Sequence, residues 1–273
     1  LSIERGEDKM VKVLDNVKLY FSFLKASLKE MLIYRLDCIV GMVSQIVTRL
    51  VEIIFIWIVF QNTENLAGWN FMQVLLLYGI TLISVGISDF CFDALYDIGP
   101  KYIREGDFDK IMLRPVHPLI SIIGASKEFT ALGYFGLGLA MTITMLIKLA
   151  IPITAILILK IVFFSIVGAA IIGAINTIFS IASFWTYRSN EIIWSFYRTY
   201  TFAQYPIDIY NKFIKVLITV ILPFAFVAYY PTMDYLGINT YMIYLSPIIA
   251  IVLWIIAVKV WNFALNKYRS TGN

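Results

Sequence analysis

Three carboxylates, Asp89, Asp93 and Asp97, recur at four-residue steps at the end of a long apolar block. On a helix that spacing stacks them on one face. Charges in such a place are costly and are retained for a partner or a purpose. Neighbouring ionised carboxyls also repel one another unless cations or water intervene. Two readings follow. The three residues line an acidic mouth that favours cationic cargo, or they form ion pairs between helices, with Arg35 and Lys127 as candidate partners. Arg49 and Glu52 stand three apart, deeper in the preceding apolar block. They share a face and can neutralise each other. Whether they also line a pathway is left open by spacing alone.

Other chemistries find no footing. There is one histidine, His117, held between Pro115 and Pro118 and read as a solvated loop residue. Without cysteine or carboxylate at ligand spacing it makes no metal site. No nucleophile–base pair is visible, so no catalytic residue is assigned. Cys38 and Cys91 lie in or beside apolar blocks and read as small buried residues, not a disulfide. No G-x-x-x-x-G-K-[ST] phosphate loop occurs, so this chain is not expected to hydrolyse ATP or to bind a cofactor itself. The basic residues form no nucleic-acid stripe.

These side chains must be positioned by a membrane-embedded body. Hydrophobic residues make up 60% of the 273 positions and charged residues only 15%. The mean hydropathy is +0.81. The apolar blocks reach the ~20 residues that cross a bilayer as a helix. They lack period-2 alternation, and unpaired backbone is not tolerated in hydrocarbon, so helices are the expected spanning element. Six are expected, at about 32–60, 71–96, 119–147, 154–185, one between 186 and 236, and 241–263. The fifth is ambiguous. Either Phe213–Tyr230 crosses, or Glu191–Gln204 crosses briefly and Tyr205–Leu236 forms a re-entrant hairpin broken at Pro206, Pro223 and Pro231. The division is a cytoplasmic N-terminal part, 1–31, and a transmembrane domain, 32–273.

Residues 10–31 read as an amphipathic interfacial helix. Leu14, Val17, Phe21, Leu24, Leu28 and Met31 mark one face, and Lys18, Ser22, Lys25 and Lys29 another. Its lysines would lie near anionic head groups of membrane lipids. No cleavable signal peptide is expected there. Lys and Arg cluster before the first span, in 97–118 and after the last span, whereas 61–70 and 231–240 have none. Lys148 and Lys160 run against the trend. The positive-inside rule therefore puts both termini and the 97–118 loop in the cytoplasm. Trp57, Trp69, Trp185 and Trp261 fall where an aromatic belt would lie. Gly136 with Ala140, Ala169 with Gly173, and Ala170 with Ala174 are candidate seams for close helix approach, and Asn176 is a candidate inter-helix donor.

The loop from Asp97 to Pro118 carries the strongest local pattern. Pro100 can open a short helix, Gly106 interrupts it, and Asp107 can cap a second turn, Phe108–Leu113, which Pro115 stops. Such an elbow would expose Phe108, Ile111 and Met112 among charges, a docking surface for another protein; the alternative is a loop lying flat on lipid. Arg104-Glu105-Gly106-Asp107-Phe108-Asp109-Lys110-Ile111-Met112-Leu113-Arg114-Pro115-Val116 resembles the Arg-Glu-x-Gly-Thr-Leu-Glu-x-Leu-Leu-x-x-Pro segment of ABC-2 type transporter permeases. Leu113-Arg114-Pro115 is similar to the Leu-Arg-Pro of a bacterial subfamily. So are Phe202–Tyr210 and Ile221–Val227 to that subfamily's second hallmark. The departure is Gly106-Asp107-Phe108 where the wider family has Gly-Thr-Leu.

The resemblance implies an exporter subunit in a bacterial plasma membrane that moves an amphipathic or hydrophobic substrate. It implies a second permease subunit, identical or related, and a separate ATP-binding cassette ATPase that holds ATP and Mg2+. The elbow becomes the coupling helix, with Tyr102, Arg104, Glu105, Phe108, Ile111, Met112 and Arg114 facing the ATPase. It also favours the re-entrant hairpin. The rival reading is an ATP-independent secondary transporter or channel in which Asp89, Asp93 and Asp97 relay ions.

Overall fold

The computed structural model describes residues 22–114, 116–125, 127–185, 198–238 and 241–268. Among them there is no strand, only an isolated bridge between Leu66 and Trp69. Among the described residues, five helices are long and apolar enough to cross a membrane: Arg35–Gln61 (span 1), Phe71–Arg104 (span 2), Ala131–Lys148 (span 3), Ala155–Phe184 (span 4) and Tyr241–Lys267 (the last span). A pair bent by 71°, Lys212–Ile221 and Phe224–Tyr235, makes a sixth if it is counted as one. The protein is an all-α polytopic membrane protein. Of the expected N-terminal helix, residues 22–33 are described and helical, with Lys25 and Lys29 exposed; Leu14, Val17, Lys18 and Phe21 lie outside the described residues.

Span 2 is the hub, buried between spans 3 and 4. Its small residues make that possible. A methyl group at Gly79 would come within 3.3 Å of the Gly138 carbonyl, and one at Gly138 within 2.9 Å of the Gly79 carbonyl. Spans 2 and 3 therefore touch backbone to backbone, the close approach that small residues give helices in lipid. On the other side, a methyl at Gly168 of span 4 would meet Ser84 Oγ at 2.9 Å. The seam of span 3 toward span 2 is thus Gly138, Gly133 lies against the Met42 backbone of span 1, and the expected Gly136–Ala140 pair is exposed instead. Gly136 and Ala140 sit on the opposite side of the helix from Gly138, so the spacing was right and the face wrong.

Three further expectations are corrected, and one of the two readings of the fifth span is narrowed. The third span does not start at Leu119. Helix Pro118–Ala125 ends, and span 3 begins only at Ala131. Side chains hold the break open: Glu128 accepts from the Thr130 backbone N–H at 3.1 Å and from its hydroxyl, while Lys127 Nζ donates to the Ile123 carbonyl at 3.1 Å and the Cys91 carbonyl at 3.3 Å. Such local bonds compete with helical ones. Phe213–Tyr230 is not a straight span, because the chain bends at Leu222-Pro223, where proline offers no donor. Trp69 and Trp261 are buried, against Tyr229 and Phe184 respectively, so only Trp57 and Trp185 are exposed. His117 is not simply solvated, since its Nε2 lies 2.9 Å from Asn262 Oδ1 of the last span. The alternative fifth span Glu191–Gln204 falls largely outside the described residues; its end, Arg198–Gln204, is a 3-10 run.

Two ion pairs fix the bent pair. Lys160 of span 4 meets Asp234 at 2.7 Å, and Lys215 meets Asp208 at 3.1 Å. Tyr229 also donates to Asp208, at 2.6 Å. Both cysteines are free.

Candidate functional site

A polar cavity of about 730 Å³ opens between spans 1, 2 and 3 and the 3-10 run Arg198–Gln204. Its walls include Arg49 and Glu52 of span 1, Asp89, Asp93 and Asp97 of span 2, Glu128 and Tyr134 at span 3, and Tyr200. All five of the ionisable residues singled out from sequence therefore surround one space. Arg49 and Glu52 share one turn of span 1, while Asp89 lies in the regular helix of span 2 and Asp93 and Asp97 in the 3-10 turn and cap that follow it.

Arg49 is the hinge of this network. Its Nη1 donates to Glu52 Oε1 at 2.9 Å, and its guanidinium lies over the Tyr134 ring, 5.2 Å from the centroid. Arg49 also donates to the Tyr200 oxygen. Glu52 in turn accepts from the Tyr78 hydroxyl of span 2 and, at 3.5 Å, from Gln204 Nε2. Asp89 accepts from the Tyr134 hydroxyl. Spans 1, 2 and 3 are thus joined by charge-assisted hydrogen bonds, the stronger kind, around a buried guanidinium. Deeper toward span 4, Asn176 Nδ2 donates to the Tyr96 hydroxyl.

Acidic groups outnumber basic ones in the cavity. One guanidinium faces five carboxyl groups: Glu52, Asp89, Asp93, Asp97 and Glu128. The side chains of Asp93 and Asp97 have no hydrogen bond or ion pair among the described residues. Arg35 stands at the exposed start of span 1 and does not line the cavity, while the buried Lys127 amine is directed to backbone carbonyls. Among the described residues no three His, Cys, Asp or Glu side chains converge closely enough to hold a metal ion. The carboxyls ring a space rather than a point.

Sequence reasoning missed Tyr78, Tyr134, Tyr200 and Glu128. A signal existed for the tyrosines of spans 2 and 3. A hydroxyl in the middle of an apolar helix needs a partner when buried, and carboxylates were the available acceptors. Tyr200 and Glu128 carried no such signal, because their positions depend on the 3-10 run and on the break before span 3.

The second site is the elbow. It consists of the π-helical end of span 2, Ile98–Arg104, a left-handed Gly106 (φ 77°), and the short helix Asp107–Met112. Gly106, not Asp107, occupies the capping position, and Asp107 instead pairs with Lys110 at 2.6 Å within the first turn. The expected exposure of Phe108 and Ile111 is corrected, for both are fully buried, and Tyr102 is buried with them. Phe108 packs edge-on against Phe184 of span 4 (centroids 5.2 Å) and Tyr268 after the last span (4.8 Å). Phe184 in turn meets Trp261 at 5.4 Å. The reason is steric. The π-helical turn and the left-handed glycine swing the short helix back toward the bundle, so its i, i+3 apolar positions roof a second small core.

The outward face keeps Arg104, Glu105, Met112, Leu113 and Arg114. Met112 is 45% exposed and Leu113 87%. Arg114 lies 5.8 Å from the ring of Phe23, tying the elbow to the N-terminal helix. Tyr268 donates to Asp109 at 3.1 Å. Burial and that carboxylate push the Tyr268 hydroxyl up to about 12, so it remains a donor at neutral pH.

A family model described as ABC-2 family transporter protein matches residues 46–272. Neither the comparison with curated proteins nor that with solved structures finds a match.

Proposed function

The chain belongs to the ABC-2 family of transporter proteins, and on that premise we propose that it is one membrane half of an ATP-driven exporter. Members of this family are permease components that work with an ATP-binding cassette ATPase. In our reading the ATPase is a separate polypeptide, which holds ATP and Mg2+, and a second permease subunit, identical or related, completes the complex. Both termini and the elbow face the cytoplasm of a bacterial cell, as the Lys and Arg distribution supports.

One observation carries this reading: the elbow is a rooted knob. Its inner face is clamped by Phe184, Trp261 and Tyr268, and its outer face offers Met112 and Leu113 with Arg104, Glu105 and Arg114. A push on such a knob reaches spans 2, 4 and the last span together, because packed cores transmit strain rather than absorb it. The buried Tyr102, Phe108 and Ile111 serve as its root and not as its contact surface. The bent pair Lys212–Ile221 and Phe224–Tyr235 is the re-entrant hairpin on the opposite side of the membrane.

The cavity between spans 1, 2 and 3 is the inner part of the cargo path. Its excess of carboxyls favours an amphipathic or hydrophobic cargo that bears positive charge. The deciding experiment is reconstitution. The permease with its co-purified ATPase should move cargo only with ATP. Transport by the permease alone, abolished by Asp93→Asn, would instead favour an ion-coupled carrier that relays through the same carboxyls.

A further inference from the structure

Among the described residues, Lys259 is a cation without a counter-charge. It sits on the exposed side of the last span and makes no hydrogen bond or ion pair among the described residues. It closes one end of a groove of about 620 Å³ between span 4 and the last span. Ala170 of span 4 and Ala250, Ile251, Trp254, Ile255 and Val258 of the last span line the rest. Apart from the lysine the walls are hydrocarbon and indole.

The groove is open and shallow, but its lining is regular. Its last-span residues fall at four-residue steps, 250–254–258 and 251–255–259, so they form one straight stripe. At 1.5 Å per residue the stripe runs about 13 Å. That is close to half the thickness of a ~30 Å hydrocarbon core, the depth of one leaflet. Two alanines leave the gap, and Trp254 is held as a wall by Phe92, with ring centroids 5.4 Å apart. The lysine lies at the elbow end, because Trp261 and Ala264 just beyond it pack in the elbow core. The last span has 27 residues, a length of about 40 Å. It overhangs a ~30 Å core, and the flexible Lys259 stem can carry its amine to the level of lipid phosphates.

We propose that this groove binds one anionic phospholipid of the elbow-side leaflet, with an acyl chain along the Ala250–Trp254 stripe and its phosphate on Lys259. Charge complementarity selects the occupant. An apolar slot ended by a single unbalanced cation fits an amphiphile of opposite sign, and a net-negative lipid balances it where a zwitterion does not.

The test uses the full chain in lipid discs of equal parts phosphatidylglycerol and phosphatidylcholine, extracted into mild detergent and read by native mass spectrometry. The wild type should retain phosphatidylglycerol about fivefold over phosphatidylcholine, the weight of one lysine beside an anionic surface. Lys259→Gln should erase that preference and Lys259→Arg keep it. Ala170→Leu, which fills the slot while leaving the charge, should lower retention of both lipids. If the preference survives in Lys259→Gln, or retention is unchanged by Ala170→Leu, the proposal fails. It also fails if Ile255→Cys, at the groove mouth, forms a disulfide between copies in native membranes, since that would give this face to a second copy of the chain. Should Lys259→Gln not fold, the Ala170→Leu and Ile255→Cys results decide.

Discussion

Phe108 lies edge-on against Tyr268 with ring centroids 4.8 Å apart, joining the elbow to the residue that follows the last span. Two neighbouring classes of elbow residue should therefore behave differently. Phe108→Ala removes a fully buried ring and should cost about 3–5 kcal/mol of stability, read as a large fall in thermal unfolding temperature. Leu113→Asp changes an exposed tip. It should leave the unfolding temperature nearly unchanged while abolishing co-purification of the ATPase. Equal melting temperatures for the two variants would refute the division into root and tip.

Arg49 and Glu52 should prove structural partners. The Arg49 side chain is 9% exposed and that of Glu52 30%. Removing one member of a buried pair strands the other charge, a loss of about 3–5 kcal/mol in well-buried cases. Because the cavity admits solvent, Glu52→Gln should fall at the lower end. The double variant Arg49→Met with Glu52→Leu should recover part of the loss. A double-mutant cycle with coupling near zero would show that the pair does nothing for the fold.

Much of this arrangement was legible in the sequence, for identifiable reasons. Span placement follows from apolar block length, and Arg49 with Glu52 follows from helical spacing. The convergence of Asp89, Asp93 and Asp97 on a polar space follows from the cost of charge among apolar residues. What was not legible depends on events between elements. Phe108 and Ile111 read as exposed because a short charged helix looks solvated; a π-helical turn and Gly106 fold it inward, and neither is encoded in hydropathy. Glu128 gains its place only because it breaks the helix that hydropathy runs through. The fifth span stayed ambiguous because a bend at Pro223 leaves two pieces, each too short to read as a crossing.

Asp93 and Asp97 should separate transport from stability. Among the described residues neither carboxyl has a hydrogen bond or ion pair. Replacing both with Asn should leave thermal unfolding unchanged or slightly raised, because it breaks no hydrogen bond and removes repulsion between neighbouring carboxyls. Cargo-stimulated ATPase activity of the complex should drop at least tenfold for cationic cargo and less for neutral cargo. Asp89→Asn is the contrast. It weakens the charge-assisted bond from Tyr134 and should cost about 1.5–3 kcal/mol. A loss of stability in the Asp93 and Asp97 variants with unchanged transport per folded complex would make the carboxyls structural.

Asp208 should give the bent pair an acid-sensitive clasp. Burial raises its carboxyl, but hydrogen bonds from Tyr229 and Lys215 outweigh that and hold it below the ordinary value of 3.8. A carboxyl lowered on folding contributes stability that is present above its unfolded value and is lost as the pH falls through the folded one. Hydrogen-exchange protection over 212–235 should thus be constant from neutral pH down to about 5, and then decline through the unfolded-state value of about 3.9 before that of spans 2 and 3. Asp208→Asn should show the reduced protection already at neutral pH and lose the acid step, because the carboxyl between Lys215 and Tyr229 is gone. Lys215→Met should do the same in part, since Tyr229 still donates at 2.6 Å. An acid step that persists unchanged in Asp208→Asn would move the clasp elsewhere, with the Lys160–Asp234 pair the next place to look.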